Sequence, residues 1–243
     1  MREIPTWEPL SDAALANQRG TYDRMRAACP VARSPRGVTL FRHADVVAAA
    51  TEPTIFSSAT SARRQVPNSL DPPEHTAFRA IVDPFFTPDR MRALEPRLRT
   101  CAREVVSALP RHAVVDAVTE FGYPFAVRAQ ANWLGWLGAE EALLAWMGEN
   151  HAATRSADRS RTAGVATAFD ELVAAQIGRR RQLGSAAPHD PTTELLHVCV
   201  NGQPLSDADI LSILRNWTAG DLGSIAAALG VVANVVGLYV SYY

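Results

Sequence analysis

The residues best suited by type and spacing to do chemistry are His75 and Arg79, four apart in Glu74-His-Thr-Ala-Phe-Arg79. On a helix this spacing places both side chains on one face, where an imidazole N–H and a guanidinium fork can grip one anion together. Taken alone, such a pair more often marks a solvated face than a ligand site, so its meaning rests on what surrounds it. Other constellations fall away on geometry. Glu140 and Glu141 are adjacent, point apart on a helix and make no acid/base pair. His197 and Cys199 are two apart and do not share a helix face. Cys29, Cys101 and Cys199 are too few and too far apart for a disulfide framework or a zinc site, and no metal-ligand set is expected. Cys101 is expected in mid-helix among arginines and Cys199 on or near the end of a short helix, each as a small core or surface residue. There is no Gly-rich phosphate loop, no Gly-x-Ser-x-Gly and no His-Glu-x-x-His.

The elements that must position these residues are mostly helices with written starts. Asp71-Pro-Pro-Glu74 offers an N-cap acid, a proline at the first helical position and a glutamate at the third. Thr87-Pro88 repeats the device, with Phe86 and Met91 as a hydrophobic staple, for a helix reaching about Leu109. Further helices are predicted over Asp116 to Trp136, Ala139 to Asn150 and Asp158 to Arg181, separated by Gly135, Gly138 and the polar stretch Thr154 to Ser160. Trp133, Trp136 and Trp146 read as core or pocket wall. Asn201-Gly202 marks a turn, and Ser206 with Asp209 then makes a capping box in which Leu205 faces Ile210. Beyond it Ile210, Ile213, Leu214 and Trp217 recur at helical spacing, and the apolar character continues all round to about Val236. That pattern predicts a helix buried through the middle of the molecule. Ile225 to Val240, interrupted by Gly230, Asn234 and Gly237, is shorter than the ~20 residues that cross a bilayer, so no membrane span is expected.

Strand is a minor element, expected at Gly37 to Arg42 after a Ser-Pro-Arg-Gly turn and followed by a helix from His43 to Ala50. Phe56 to Leu70 has no periodicity and reads as a long exposed loop. The expected class is mainly α, in one domain over 1–243. The net charge of -1 gives no bulk attraction for nucleic acid, and all 24 basic residues are arginine. The opening Met1-Arg-Glu-Ile-Pro-Thr-Trp7 has no apolar run for export, so a cytoplasmic protein is expected.

Context settles on one family. Leu70-Asp-Pro-Pro-Glu-His-Thr-Ala-Phe-Arg79, continued by Val82 and Phe85-Phe-Thr-Pro88, resembles the cytochrome P450 helix that runs across the haem edge. Val38 to Arg42 with His43-Ala-Asp45 is similar to that family's first sheet and following helix. Ile55-Phe-Ser-Ser58 is similar to the entry of its substrate-contacting loop, and Gly202 to Gly220 to the approach to its oxygen-binding helix. The resemblance runs from Arg33 to Val236, in family order, and points to the N-terminal part of a bacterial-type member. It implies a haem cofactor and insertion of one oxygen atom from O2 into a small apolar or aromatic substrate. It also implies a ferredoxin-type electron donor, with His75 and Arg79 on the haem propionates and Gly220, Asp221, Gly223 and Ser224 in the oxygen-activating segment.

Two departures from the family pattern stand out. Ala219-Gly-Asp-Leu-Gly-Ser224 has its acid one place early and Gly223 where the family has threonine. The Glu-x-x-Arg helix and the Phe-x-x-Gly loop leading to the cysteine ligand have no match, so the fold is expected to be truncated after the central helix and inactive in this form. The alternative is a non-catalytic helical scaffold that binds a partner or self-associates through its uncovered inner face.

Overall fold

The computed structural model describes residues 4–9, 11–34, 37–60, 63–156 and 158–241, with side-chain surroundings as far as 236. Contacts divide the chain into two units, residues 1–60 and 61–243. In the first unit, Ser11 caps α1 (Asp12–Ala16) by accepting from the Ala14 N–H, and Asn17 caps α2 (Gln18–Ala28) by accepting from the Gly20 N–H. β1 (Val31–Ser34) and β2 (Gly37–Leu40) form an antiparallel pair with Val31 opposite Leu40, and α3 (His43–Thr51) follows. The expected strand is thus β2, while its partner β1 carried no signal. Pro35 and Arg36 of the expected turn lie outside the described residues. Trp7, Ala14, Ala32 and Phe41 make a small core, with the Trp7 ring edge-on to Tyr22 and Phe41.

The second unit is helical, as the sequence pattern predicts. It runs through α4 (Glu74–Val82), a 3-10 turn over Asp83–Phe86, and α5 (Pro88–Ala108). A π-helical turn (Ala117–Gly122) then leads straight into α6 (Tyr123–Leu134). Next come α7 (Glu140–Ser156), α8 (Arg159–Leu183) and α9 (Pro191–Leu195). A hairpin of β3 (Cys199–Val200) and β4 (Gln203–Pro204) precedes α10 (Asp207–Ser241). Asn201 and Gly202 turn that hairpin with φ of 50° and 77°, the left-handed conformation that Asn-Gly favours.

Local signals located most helix starts. Asp116 accepts from the Val118 and Thr119 N–H groups, Asp158 from those of Ser160 and Arg161, and Ser206 from that of Asp209. Those donated hydrogen bonds, the Thr119 N–H first, hold the exposed Asp116 carboxyl below the usual carboxylate range.

The Asp71 cap is a correction: α4 starts at Glu74 with Pro73, which has no side-chain acceptor, at the cap position, while the Asp71 main-chain carbonyl accepts from the His75 N–H at 2.9 Å. Cys199 is also corrected, from a helix end to an exposed strand position in β3. So is the expected break near Thr154, because α7 continues to Ser156.

The core of this unit gathers on the first half of α10, where Ile210, Ile213, Leu214, Trp217 and Leu222 are buried. Around it pack the π turn, α6 and α8. Glycines set the closest approach. A Cβ on Gly122 would lie 2.7 Å from the Ala226 carbonyl oxygen, and one on Gly230 would lie 2.5 Å from Val118 Cγ2. The segment 56–70 is not wholly an exposed loop. Its second half is pinned to α10 because the Val66 N–H donates to Ser212 Oγ at 2.8 Å and Asn216 Nδ2 donates to the Val66 carbonyl at 2.9 Å. The expected all-round burial of α10 holds only in part, since from Ala227 to Val236 most positions are exposed, Val231 at 64%.

A buried polar knot closes the far end of the bundle. Arg180 pairs with Asp190 at 3.0 Å, their side chains 3% and 8% exposed, and also donates to the Gly135 carbonyl. Asp190 caps α9 through the Thr193 N–H at 2.8 Å. Trp136 Nε1 donates to Thr192 Oγ1, whose hydroxyl donates in turn to the Leu134 carbonyl, both at 2.8 Å. Gly135 takes φ +76° against this knot, where a Cβ would collide with the Asp190 carboxylate.

Candidate functional site on the fourth and tenth helices

α4 buries Phe78 and Val82 on its inner side. His75 is half-buried, and Arg79 opens to solvent with its side chain 48% exposed and paired with Asp83 one turn on. The helix therefore brings the two candidate anion-gripping groups to one side, as their spacing predicts. No hydrogen bond or ion pair among the described residues joins them to Gly220–Ser224 on α10.

The four α10 candidates do not act as one cluster. Gly220 is exposed, with nothing within 4 Å of a Cβ built on it. Ser224 donates its hydroxyl to the Gly220 carbonyl at 2.9 Å, so its proton is held within its own helix. Asp221 borders a cleft of about 180 Å³ lined by Met91, Leu94, Ala129, Gln130 and Trp133. Gly223 meets α7, where His151 Nε2 lies 3.7 Å from a Cβ built on it.

Although Asp221 stays open to solvent on one side, the apolar cleft wall pushes its carboxyl above the usual carboxylate range, against a smaller opposing hydrogen bond from Gln130. The folded chain thus binds a proton at Asp221 more readily than the unfolded chain. Stability from this group is present at low pH and falls as pH rises from the ordinary aspartate value to the raised one. Asp221→Asn is therefore expected to raise the urea midpoint at neutral pH, with the gain vanishing in acid where the carboxyl is protonated anyway. A gain that is the same at both pH values would contradict this account.

Sequence reasoning missed the neighbours of these residues. Tyr123, the first residue of α6, hydrogen-bonds through its hydroxyl to His151 Nδ1, and the rings stand at 80° with centroids 5.3 Å apart. Nothing in the spacing of two residues on separate helices announces such a pair. In Gln130, buried beside Asp221, Nε2 donates to the Trp217 carbonyl at 2.9 Å while Oε1 has no partner.

The donor set fits haem in part. An imidazole and a guanidinium on one helix side suit carboxylates at the rim of an apolar pocket. The cysteines do not fit the iron. Cys29 Sγ donates to the Val31 carbonyl at 3.0 Å, and Cys199 is exposed in β3. Cys101 is buried on α5, where burial first and then Glu104 push its thiol up, against thiolate formation. Among the described residues no group of three His, Cys, Asp or Glu side chains could hold a metal ion.

Comparison with known proteins agrees with the architecture. No family model matches the chain. It is 27% identical over 180 residues to a protein of Sinorhizobium fredii named “Probable cytochrome P450 127A1”, covering 73% of this chain and 42% of that one. Against linalool 8-monooxygenase of Pseudomonas putida it is 26% identical over 247 residues, covering 87% of this chain and 59% of the relative. The chain thus spans about half the length of the curated relatives it matches. Among solved structures, the bottromycin biosynthetic protein SalCYP superposes with a TM-score of 0.77 at 24% identity, over 93% of this chain and 58% of that one, which shows the shared fold. The chain is thus a cytochrome P450-like polypeptide that matches the N-terminal portion of that fold.

Proposed function

We propose that this chain carries the haem-edge and oxygen-side helices of a haem-thiolate monooxygenase that inserts one oxygen atom from O2 into a small apolar or aromatic substrate. Haem, when bound to a thiolate, supplies the oxygen activation. His75 and Arg79 hold its propionates, and Gly220, Gly223 and Ser224 border the reacting side, while Asp221 lies round the helix on the cleft with Met91 and Trp133. A ferredoxin-type protein delivers the electrons, and the cytoplasm is the compartment. The observation that carries this reading is the pair Gly220 and Gly223, half-way along a core helix packed by the π turn, α6 and α8.

The same geometry limits what the chain does by itself, since Cys29 donates to the Val31 carbonyl, Cys101 is buried on α5 and Cys199 sits in the β3 hairpin. We expect no thiolate-ligated haem from the chain alone. Purified protein, mixed with haem, reduced and exposed to carbon monoxide, should lack the Soret band of a thiolate complex. Its appearance, removed by one Cys→Ala change, would refute the claim and name the ligand.

A second reading, a non-catalytic scaffold that associates through α10, is favoured by one observation. Val231, Val232, Val235 and Val236 stand 48–64% exposed on consecutive turns. The stretch Asp207–Val236 is also long and apolar enough to cross a membrane by length and composition alone, a property that core helices share. Sedimentation at rising concentration is expected to show association that weakens in Val232→Glu/Val235→Glu. A monomer at all concentrations, with no binding of an apolar dye, would remove this reading.

A further inference from the structure

The cleft between α5, α6 and α10 carries two acceptors that the chain leaves short of donors. Gln130 lines it with only 4% of its surface exposed, and its Oε1 has no hydrogen-bond partner among the described residues. Turning the amide over would not help. Its Nε2 donates to the Trp217 carbonyl at 2.9 Å, and exchanging the two atoms would set one carbonyl oxygen against another. Asp221, one helical turn beyond Trp217, adds a carboxylate to the same wall, and no ion pair among the described residues reaches it.

The nearest cations serve elsewhere. Arg90 and Arg97 line the adjoining cleft on the other side of Leu94 and Trp133, and Arg90 is bound through both terminal nitrogens to Glu194. The remaining wall is apolar. Leu94 and Leu98 of α5, Ile225 of α10 and the rings of Phe86 and Trp133, whose centroids are 5.2 Å apart, help enclose about 180 Å³. A hydrocarbon in that space would leave both acceptors unpaired, and an anion would be repelled by Asp221. A primary ammonium supplies several N–H donors and the opposite charge, and aromatic faces attract such a cation.

We infer that this cleft is a binding site for a small primary ammonium carried on an apolar, ring-sized body, with Asp221 as the counter-charge and Gln130 Oε1 as the second acceptor. The site goes beyond the proposed function, because Asp221 stands about 200° round α10 from Gly223 and faces away from the reacting side. A bound cation would also offset the desolvation that lifts the Asp221 carboxyl above its usual range.

The test uses the chain without haem. Protein carrying carbon-13 methyl-labelled methionine is titrated at neutral pH with benzylamine, benzyl alcohol and benzyltrimethylammonium, and Met91, which lines the cleft, is the reporter. Met91→Leu identifies its methyl signal by loss. Benzylamine is expected to give a saturable shift at Met91 with an affinity about tenfold or more above that of benzyl alcohol, the scale of one charge-assisted hydrogen bond. Benzyltrimethylammonium keeps the charge but offers no N–H, so it should bind more weakly than benzylamine. Asp221→Asn, which is expected to fold and to gain stability at neutral pH, should bring benzylamine down towards the alcohol and leave the alcohol unchanged. Thermal unfolding of that variant confirms that it is folded. No saturable shift at Met91 with benzylamine, an equal affinity for either comparison compound, or full amine binding in Asp221→Asn would each overturn the inference. Either result leaves the monooxygenase reading to its own carbon monoxide test.

Discussion

Asp190→Ala is expected to lower the unfolding free energy by about 3–5 kcal/mol, the usual cost of stranding one member of a buried ion pair. The removed carboxylate meets Arg180 at 3.0 Å where that guanidinium is 3% exposed, and the same group caps α9 through Thr193. The charge on Arg180 would be left with only neutral acceptors, the Gly135 carbonyl and Gln176, and the Arg180 Nε has no partner. The cost should come largely from that charge rather than from the lost attraction, and Arg180→Met combined with Asp190→Ala should therefore recover part of it. Urea denaturation of the three variants measures both quantities. A single-variant loss below about 1 kcal/mol, the level typical of a surface pair, would mean that the knot is not the buried anchor described.

Gly122→Ala carries the next largest expected effect, about 1–3 kcal/mol of destabilisation from overpacking. The added Cβ would meet the Ala226 carbonyl oxygen at 2.7 Å and Cα at 3.0 Å, and main chain cannot step aside as a flexible side chain can. The sign makes the result diagnostic. Gly→Ala inside a helix normally stabilises by about 0.5–1 kcal/mol, as it should at Gly164 on α8, where nothing lies within 4 Å. Opposite signs at 122 and 164 in thermal unfolding would verify the close approach, and equal signs would contradict it.

What could be read in the sequence was whatever depends on near neighbours. Ser206 with Asp209 announced the start of α10, Asp158 that of α8, and Asn201-Gly202 a turn, because each is decided by backbone groups within a few residues. The capping acid at Asp71 misled by position, because the helix begins at Glu74 with Pro73 in the cap place. The exposed end of α10 misled for a different reason. An apolar run records what a helix is fit to touch, and past the Gly230–Val118 approach Val231, Val232, Val235 and Val236 stand exposed.

The candidate site divides along the same line. His75 and Arg79 are one turn apart and could be paired from spacing alone. Tyr123 and His151 meet from two separate helices, α6 and α7, and the knot of Arg180, Asp190 and Trp136 joins segments far apart in sequence. Family resemblance located the Gly220–Ser224 segment. It could not say that Asp221 and Gly223 look towards different neighbours, which follows from their angular separation of about 200° on a helix.

The length of α10 has a mechanical consequence. Its 35 residues make a rod of about 52 Å, at 1.5 Å per residue. The first part is clamped by side chains from the π turn, α6 and α8, and the Gly230–Val118 approach is the last grip described. Among the described residues, the turns past that approach are held by the helix's own backbone hydrogen bonds. A load applied to the outer turns, by a partner or a lipid surface, would act with a lever arm on Gly230 and be felt at Ala226, Gly122 and the Tyr123–His151 pair.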